Sequence, residues 1–254
     1  NLNEDEIINL VENQEVEKLK EVSEESLKKL TNSFPFLLHA LADDNKYSLE
    51  IFELFSRYYD LNFNDGDNFT ALHQAAKSNN IEVVKFLIKK KADLNITAKF
   101  HDDEEGFSNV TPLFISIING NYEISKILID AGADVNISME TQDKHSPLLQ
   151  ACINNTNLDI IKLLIDKKAD INFCNKHGWT ALHYAVYNKD TKLVKLLLES
   201  GCDVNIKSVE GKSPILLVNY NRTNLELIRL LINKKSDINI QEKFGWTPLH
   251  YASD

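Results

Sequence analysis

One phrase is written six times along this chain: TALHQAA at 70–76, TPLFISI at 111–117, SPLLQAC at 146–152, TALHYAV at 180–186, SPILLVN at 213–219 and TPLHYAS at 247–253. Its opening Thr or Ser recurs at steps of 41, 35, 34, 33 and 34 residues. A second phrase, Asp-hydrophobic-Asn, trails each complete copy, at Asp93–Asn95, Asp134–Asn136, Asp170–Asn172, Asp203–Asn205 and Asp237–Asn239. Such a period means that one small unit is stacked many times, each copy burying its apolar face on its neighbours instead of on a central core. A chain of 254 residues built this way is expected to be one continuous array, because added length adds units without enlarging a core.

Residues 65–96 show how a copy specifies itself. Asp65-Gly66-Asp67-Asn68 is turn chemistry. Thr70 stands where an N-cap belongs, its hydroxyl able to accept an orphan amide proton, and Pro112, Pro147, Pro214 and Pro248 occupy the first helical position in other copies. The helix so started is short and carries the small residues Ala75 and Ala76. After a polar break at Ser78–Asn80, the second helix has apolar residues at 81, 83, 84, 86, 87 and 88, too many for one exposed stripe, so neighbours on both sides must cover it. Glycine is scarce, and Gly120, Gly132 and Gly201 stand at the break or after the second helix. Asn80 and Asn155 are read as stand-ins for glycine at the break, and Lys91, Lys168 and Lys235 after the second helix, each lysine costing about 1 kcal/mol relative to glycine.

A repeat of about 33 residues carrying a TPLH phrase resembles the ankyrin repeat, and six copies in register cover almost the whole chain. The resemblance implies an all-α fold, a solenoid of stacked helix-turn-helix units with β-turn fingers, and a concave groove formed by the turn tips and the exposed face of the first helices. It places full repeats at 65–96, 107–137, 143–173, 175–206 and 208–240, and a truncated one at 241–254. A degenerate repeat at 34–64 puts His39 at the phrase's histidine and ends in Asp60-Leu61-Asn62. Residues 1–33 read as a degenerate, polar capping region, with two helices around a break in 7–22 and a further helix start at Ser23-Glu24-Glu25. The last copy stops inside its first helix, so the chain is read as a piece of a longer or processed protein.

The net charge of −10 is uneven: residues 1–60 hold 6 Lys+Arg and 14 Asp+Glu, and the remainder holds 22 and 24. A nearly neutral array with an acidic start lacks the clustered basic face that nucleic acid requires, so no nucleic-acid partner is expected. Lysine clusters at 89–91, 167–168 and 234–235 recur at helix ends, where cations complement the macrodipole. Cys152, Cys174 and Cys202 fit neither zinc spacing nor an even disulfide framework. A reducing, cytoplasmic setting is therefore expected, with delivery into a host cell added if the source is a parasite or an intracellular bacterium. The N-x-S/T sequons, among them those at Asn68, Asn109, Asn136, Asn154 and Asn221, are expected to stay unmodified. No apolar run approaches the roughly 18 residues of a bilayer span, and the acidic start is unlike a signal peptide, so no direct membrane insertion is expected.

The chain has no nucleophile elbow, phosphate loop, dinucleotide fingerprint or HExxH. It is expected to be non-catalytic and to need no cofactor or metal. His39, His73, His183 and His250 share one repeat position and are spaced too widely to converge on an ion; the resemblance implies that each imidazole hydrogen-bonds backbone between neighbouring units. His101, Asp102, Asp103, Glu104 and Glu105 fall in an insertion between Asn95 and Thr111. Without EF-hand spacing this reads as a solvated acidic loop, or as a patch that meets a basic partner.

Equivalent positions compared across copies give the better candidates. The exposed first-helix position reads Asp43, Lys77, Ile118, Ile153, Tyr187 and Tyr220, and the residue before the cap reads Phe69, Val110, His145, Trp179, Lys212 and Trp246. Ile118, Ile153, Tyr184, Tyr187, Tyr220, Trp179, Trp246 and Phe69, with the acidic insertion, form the candidate partner surface. Exposed aromatic clusters mark interaction sites, and packing on the neighbouring turn is the competing explanation. Asn95, Asn136, Asn172, Asn205 and Asn239 each follow a leucine eight residues upstream, Leu87, Leu128, Leu164, Leu197 and Leu231. That resembles the pattern used by the asparagine-hydroxylating dioxygenase of ankyrin proteins, although hydrogen bonding within the turn is the stronger explanation. The expected function is a monomeric protein–protein interaction scaffold or adaptor that grips a protein or peptide partner. The alternative is a substrate- or membrane-targeting arm of a larger enzyme, channel or secreted effector.

Overall fold

The computed structural model describes residues 2–43, 46–102, 105–140, 143–154, 157–218 and 225–253. It divides into two compact units, residues 1–134 and 135–254, and the same local rule builds both. In the first unit, α1 (Glu4–Glu12), α2 (Val16–Lys20) and α3 (Glu24–Ser33) precede three helix pairs: α4 (Leu37–Asp43) with α5 (Leu49–Phe55), α6 (Ala71–Lys77) with α7 (Ile81–Lys89), and α8 (Pro112–Ile118) with α9 (Tyr122–Asp130). The second unit holds α10 (Pro147–Ile153) with α11 (Leu158–Asp166), α12 (Ala181–Tyr187) with α13 (Thr191–Glu199), α14 (Pro214–Leu217) with α15 (Leu225–Asn233), and α16 (Pro248–Ser253).

The recurring Thr or Ser starts these helices by capping them. Thr70, Thr111, Ser146 and Thr180 each accept the backbone N–H three residues on with the side-chain hydroxyl, satisfying one of the amides a helix start leaves unpaired. Ser213 departs from the rule: its buried hydroxyl has no hydrogen-bond partner, and the helix it precedes, α14, runs only four residues. Farther upstream, Asn3 and Glu6 form a reciprocal capping box on α1, and Ser23 caps α3 as its sequence predicts.

First helices pack on first helices: α4 on α6 on α8 in the first unit, and α10 on α12 on α14 in the second. Behind them the second helices form their own row, α5, α7 and α9, then α13 and α15. The small residues Ala75, Ala76, Ala151 and Ala185 are fully buried between rows. Phe52, Phe55, Leu72, Leu87 and Phe114 fill the first unit, with Phe52 and Phe86 meeting edge to face at 5.7 Å. Leu148, Leu164, Leu182, Leu197, Leu216 and Leu231 are buried in the second. Each such side chain stabilises its unit by about 1.5–3 kcal/mol.

Left-handed backbone falls where the pattern calls for it, with one shift. Lys91, Lys168 and Lys235 have φ of 62°, 68° and 65°. At the break between α6 and α7, however, Asn79 is left-handed (φ 58°) and Asn80 is not; Asn80 instead accepts the Val83 N–H as N-cap of α7, with φ −86°. Capping requires negative φ, so the cap displaces the turn residue by one. Asn155 lies outside the described residues. A side chain in left-handed backbone is strained by about 1 kcal/mol, partly offset by the greater unfolded-state freedom of glycine. Lys168→Gly is therefore expected to stabilise the second unit by about 0.5 kcal/mol, seen as a higher urea midpoint; a lower midpoint would contradict this account.

The insertion carries a hairpin that its composition does not announce. β1 (Ala98–Asp102) pairs antiparallel with β2 (Glu105–Val110), with Phe100 opposite Phe107, Asp102 opposite Glu105 and an irregularity between Ala98 and Phe100. Cross-strand pairing satisfies backbone groups that an irregular loop would leave to water. Its anchors at the base, Ala98 and Val110, are buried. Asp103 and Glu104 lie outside the described residues.

Candidate functional site

The fingers between repeats are organised by one side-chain acceptor each. Asp65 Oδ1 takes the N–H groups of Asp67 and Phe69, Asn175 Oδ1 those of His177 and Trp179, and Glu242 Oε1 those of Phe244 and Trp246. Ser208 Oγ takes that of Lys212. Neighbouring finger tips are then tied by backbone: Lys99 N–H to the Asp67 carbonyl in the first unit, and Lys176 to Asp143, Val209 to His177 and Lys243 to Glu210 in the second.

In the second unit this scaffold surrounds a cleft of about 700 Å³ lined by Ile153, His177, Trp179, Tyr184, Tyr187, Asn188, Val209 and Glu210. Trp179 is its centre. The Tyr184 and Tyr187 rings meet the indole edge to face at 5.0 and 5.6 Å, and the His183 ring tilts against it at 5.8 Å, geometries that favour aromatic pairs. Asn175 Nδ2 donates to the Tyr184 hydroxyl at 3.0 Å, so one asparagine shapes the finger and fixes the ring beside it. Burial, and secondarily the nearby Asp143 carboxylate, pushes the Tyr184 phenol up from its ordinary value. At the lip, His177 Nε2 lies 2.8 Å from Asp143 Oδ1, and Glu210 pairs with Lys212 at 2.9 Å. That lysine, more than any other neighbour, holds the Glu210 carboxyl below its usual value.

The repeated histidines occupy fixed structural posts. His73 Nε2 lies 3.1 Å from the Val110 carbonyl and His183 Nε2 3.1 Å from that of Lys212. A carbonyl only accepts, so Nε2 carries the proton and Nδ1 is the acceptor. Nδ1 takes the N–H and hydroxyl of Thr70 in one case and of Thr180 in the other. His39 Nε2 reaches the Phe69 carbonyl at 2.8 Å, and His250 Nδ1 meets Thr247. Desolvation lowers the pKa of both His73 and His183 to about 4, holding them neutral with both nitrogens engaged.

Residues 37–139 and 135–208 match a family model described as ankyrin repeats in three copies, and residues 220–253 match one described as ankyrin repeats in many copies. The chain belongs to the ankyrin-repeat family. Its fold is the all-α ankyrin architecture of stacked helix-turn-helix units with β-turn fingers. No curated protein matches the chain. Ankyrin repeats are generally non-catalytic protein–protein interaction modules. Among the described residues, no helix is long and apolar enough to cross a membrane, and no three His, Cys, Asp or Glu side chains are grouped to hold a metal ion.

Of the candidate ankyrin surface residues, the cleft gathers Ile153, Trp179, Tyr184 and Tyr187. Tyr187 is 53% exposed, while Ile153 is only partly so. Ile118 belongs to the first unit and is half-buried. There Phe69 packs on His73 at 5.1 Å. Trp246 packs on Tyr251 and His250 at 5.1 and 6.2 Å, and Tyr220 lies outside the described residues. Asp102 and Glu105 face each other across the hairpin register. The turn asparagines form a ladder: the side-chain carbonyls of Asn95, Asn136, Asn172 and Asn205 accept the N–H of Asp134, Asp170, Asp203 and Asp237 in the following repeat. Asn239 donates its own N–H to Asp237.

His177, Asn188, Val209 and Glu210 escaped the sequence reading. A signal existed for two of them. The column three residues before each cap reads Asp67, Ser108, Asp143, His177, Glu210 and Phe244, and it varies as widely as the columns chosen.

Proposed function

We propose that the chain is a non-catalytic interaction scaffold whose second unit takes a protein or peptide partner in the cleft around Trp179. One observation carries this reading: Tyr187 and Val209, 53% and 74% exposed, stand beside a tryptophan already fixed by three ring contacts. Rings held in place lose little entropy on docking, and Trp and Tyr in such sites dominate interface energies. Packing on Tyr184 and His183 explains how the Trp179 indole is held; it does not explain why Tyr187 and Val209 stay in water.

The reading takes the chain as a monomeric adaptor in the cytoplasm. A basic partner suits the run of carboxylates in the insertion between Asn95 and Thr111 and the acidic first 60 residues. The test is a partner captured from the source lysate with the intact chain and titrated against Trp179→Ala, Tyr187→Ala variant protein. Loss of a hot spot of this type costs about 2 kcal/mol or more, roughly thirtyfold in Kd. Unchanged affinity in a variant with an unchanged circular dichroism spectrum would sink the placement.

A further inference from the structure

The cleft joins an aromatic wall to a carboxylate lip, and the combination selects for more than shape. The faces of Trp179, Tyr184 and Tyr187 carry the negative side of the ring quadrupole, which attracts cations. Glu210 lines the other edge of the same cleft, and Asp143 stands behind His177 at 2.8 Å. Glu210 is ionised at neutral pH, because Lys212 first, then Lys243 and His177, favour its charged form. Its pairing with Lys212 does not close the site: the Lys212 side chain is only 18% exposed, but the Glu210 side chain is 68% exposed, so its carboxylate stays open to solvent.

Three kinds of anchor can be compared. An acidic side chain would meet Glu210 and Asp143 with like charge. A neutral aliphatic or aromatic one would cover the rings while removing water from Glu210 without replacing its hydrogen bonds, which is unfavourable. A cation satisfies both the wall and the lip. Between the two basic side chains, the planar guanidinium stacks on aromatic faces and offers paired donors to a carboxylate, whereas an ammonium is a strongly hydrated point charge. We propose that the cleft takes an arginine side chain of the partner, its guanidinium stacked on one ring of the Trp179–Tyr187 pair, whose planes cross at 67°, and hydrogen-bonded to Glu210. The inference rests on the reading of this cleft as the partner site, and adds the chemistry of the anchor.

The chain has two tryptophans, so Trp246→Phe leaves Trp179 as the only indole reporter. Acetyl-Leu-Arg-Leu-amide and the same peptide with citrulline, which keeps the shape and removes the charge, are titrated against its fluorescence. The arginine peptide is expected to bind saturably and at least tenfold more tightly than the citrulline peptide. Glu210→Gln should weaken the arginine peptide at least threefold and leave the citrulline peptide unchanged. Equal affinity for the two peptides, indifference of the arginine peptide to Glu210→Gln, or no saturable signal from either would each overturn the arginine assignment. Partner capture separates the two ideas. If capture still depends on Trp179 while the peptides bind equally, the cleft stands and the arginine falls. Should capture survive the loss of Trp179 and Tyr187, the site itself falls.

Discussion

Acidification from pH 7 to 4.5 is expected to remove roughly 2–3 kcal/mol of stability from each unit through a single histidine, His73 in the first and His183 in the second. Both imidazoles are fully buried and have their pKa lowered to about 4 by desolvation, against about 6.5 in an unfolded chain. The folded value lies below the unfolded one, so between these pH values the unfolded chain binds the extra proton. The stability is therefore fully present above pH 6.5 and is lost as pH falls toward 4. Near pH 5.2 each histidine should contribute a slope of about 1.2 kcal/mol per pH unit. Protonation also puts a hydrogen on Nδ1, which the Thr70 or Thr180 N–H already uses as its acceptor, so the charged form forfeits that hydrogen bond as well. Urea unfolding at half-unit steps from pH 7.5 to 4.5 measures the slope, and His183→Gln should remove the share belonging to the second unit. A total change under 1 kcal/mol down to pH 5, or a slope that His183→Gln leaves untouched, would defeat the linkage.

What the sequence made legible and what it hid divide along the distance between interacting residues. The cap at Thr70 could be read from the sequence because Thr70 and His73 meet within one helical turn. The asparagine ladder repeats its geometry once per copy, so a hydrogen-bonded role for Asn95 or Asn172 could be anticipated while the N–H it accepts, 31 to 39 residues along, could not. The hairpin depended on pairing between Ala98 and Val110 across an insertion with no counterpart in other copies. The left-handed residue at the break is Asn79 and not Asn80, a distinction the sequence hides because a cap and a left-handed turn favour the same residue type. The cleft shows the same limit. Trp179 and Tyr187 belong to one repeat and share a finger and a helix, so comparing columns found both. Val209 and Glu210 reach the cleft from the next finger, through a single backbone bond from Val209 N–H to the His177 carbonyl at 2.9 Å.

That bond sets the second large effect, at a glycine. Gly178 lies at φ 75°, and a Cβ built on it would meet Ser208 Cα at 2.9 Å, Val209 N at 3.0 Å and the Ser208 carbonyl carbon at 3.1 Å. All three are backbone atoms and have no rotamer by which to move aside. Gly178→Ala must therefore push the two finger tips apart, stretching the His177–Val209 hydrogen bond, in addition to the strain of about 1 kcal/mol that an alanine incurs in left-handed backbone. A net loss of about 2–3 kcal/mol is expected, since overpacking and a weakened hydrogen bond add to the strain. Gly245 supplies the control from the same turn position: its φ is 80°, yet nothing lies within 4 Å of its Cβ, so Gly245→Ala should lose only about 1 kcal/mol. The difference between the two variants, read from their urea midpoints, isolates the contact between fingers from the backbone strain common to both. Equal losses would mean that the tips yield freely, and the cleft would then lack a fixed far wall. Unequal losses make the same glycine a handle on recognition. Alanine at 178 moves Val209 and Glu210 away from Trp179 without altering any side chain that lines the cleft, so partner affinity should fall in Gly178→Ala and hold in Gly245→Ala.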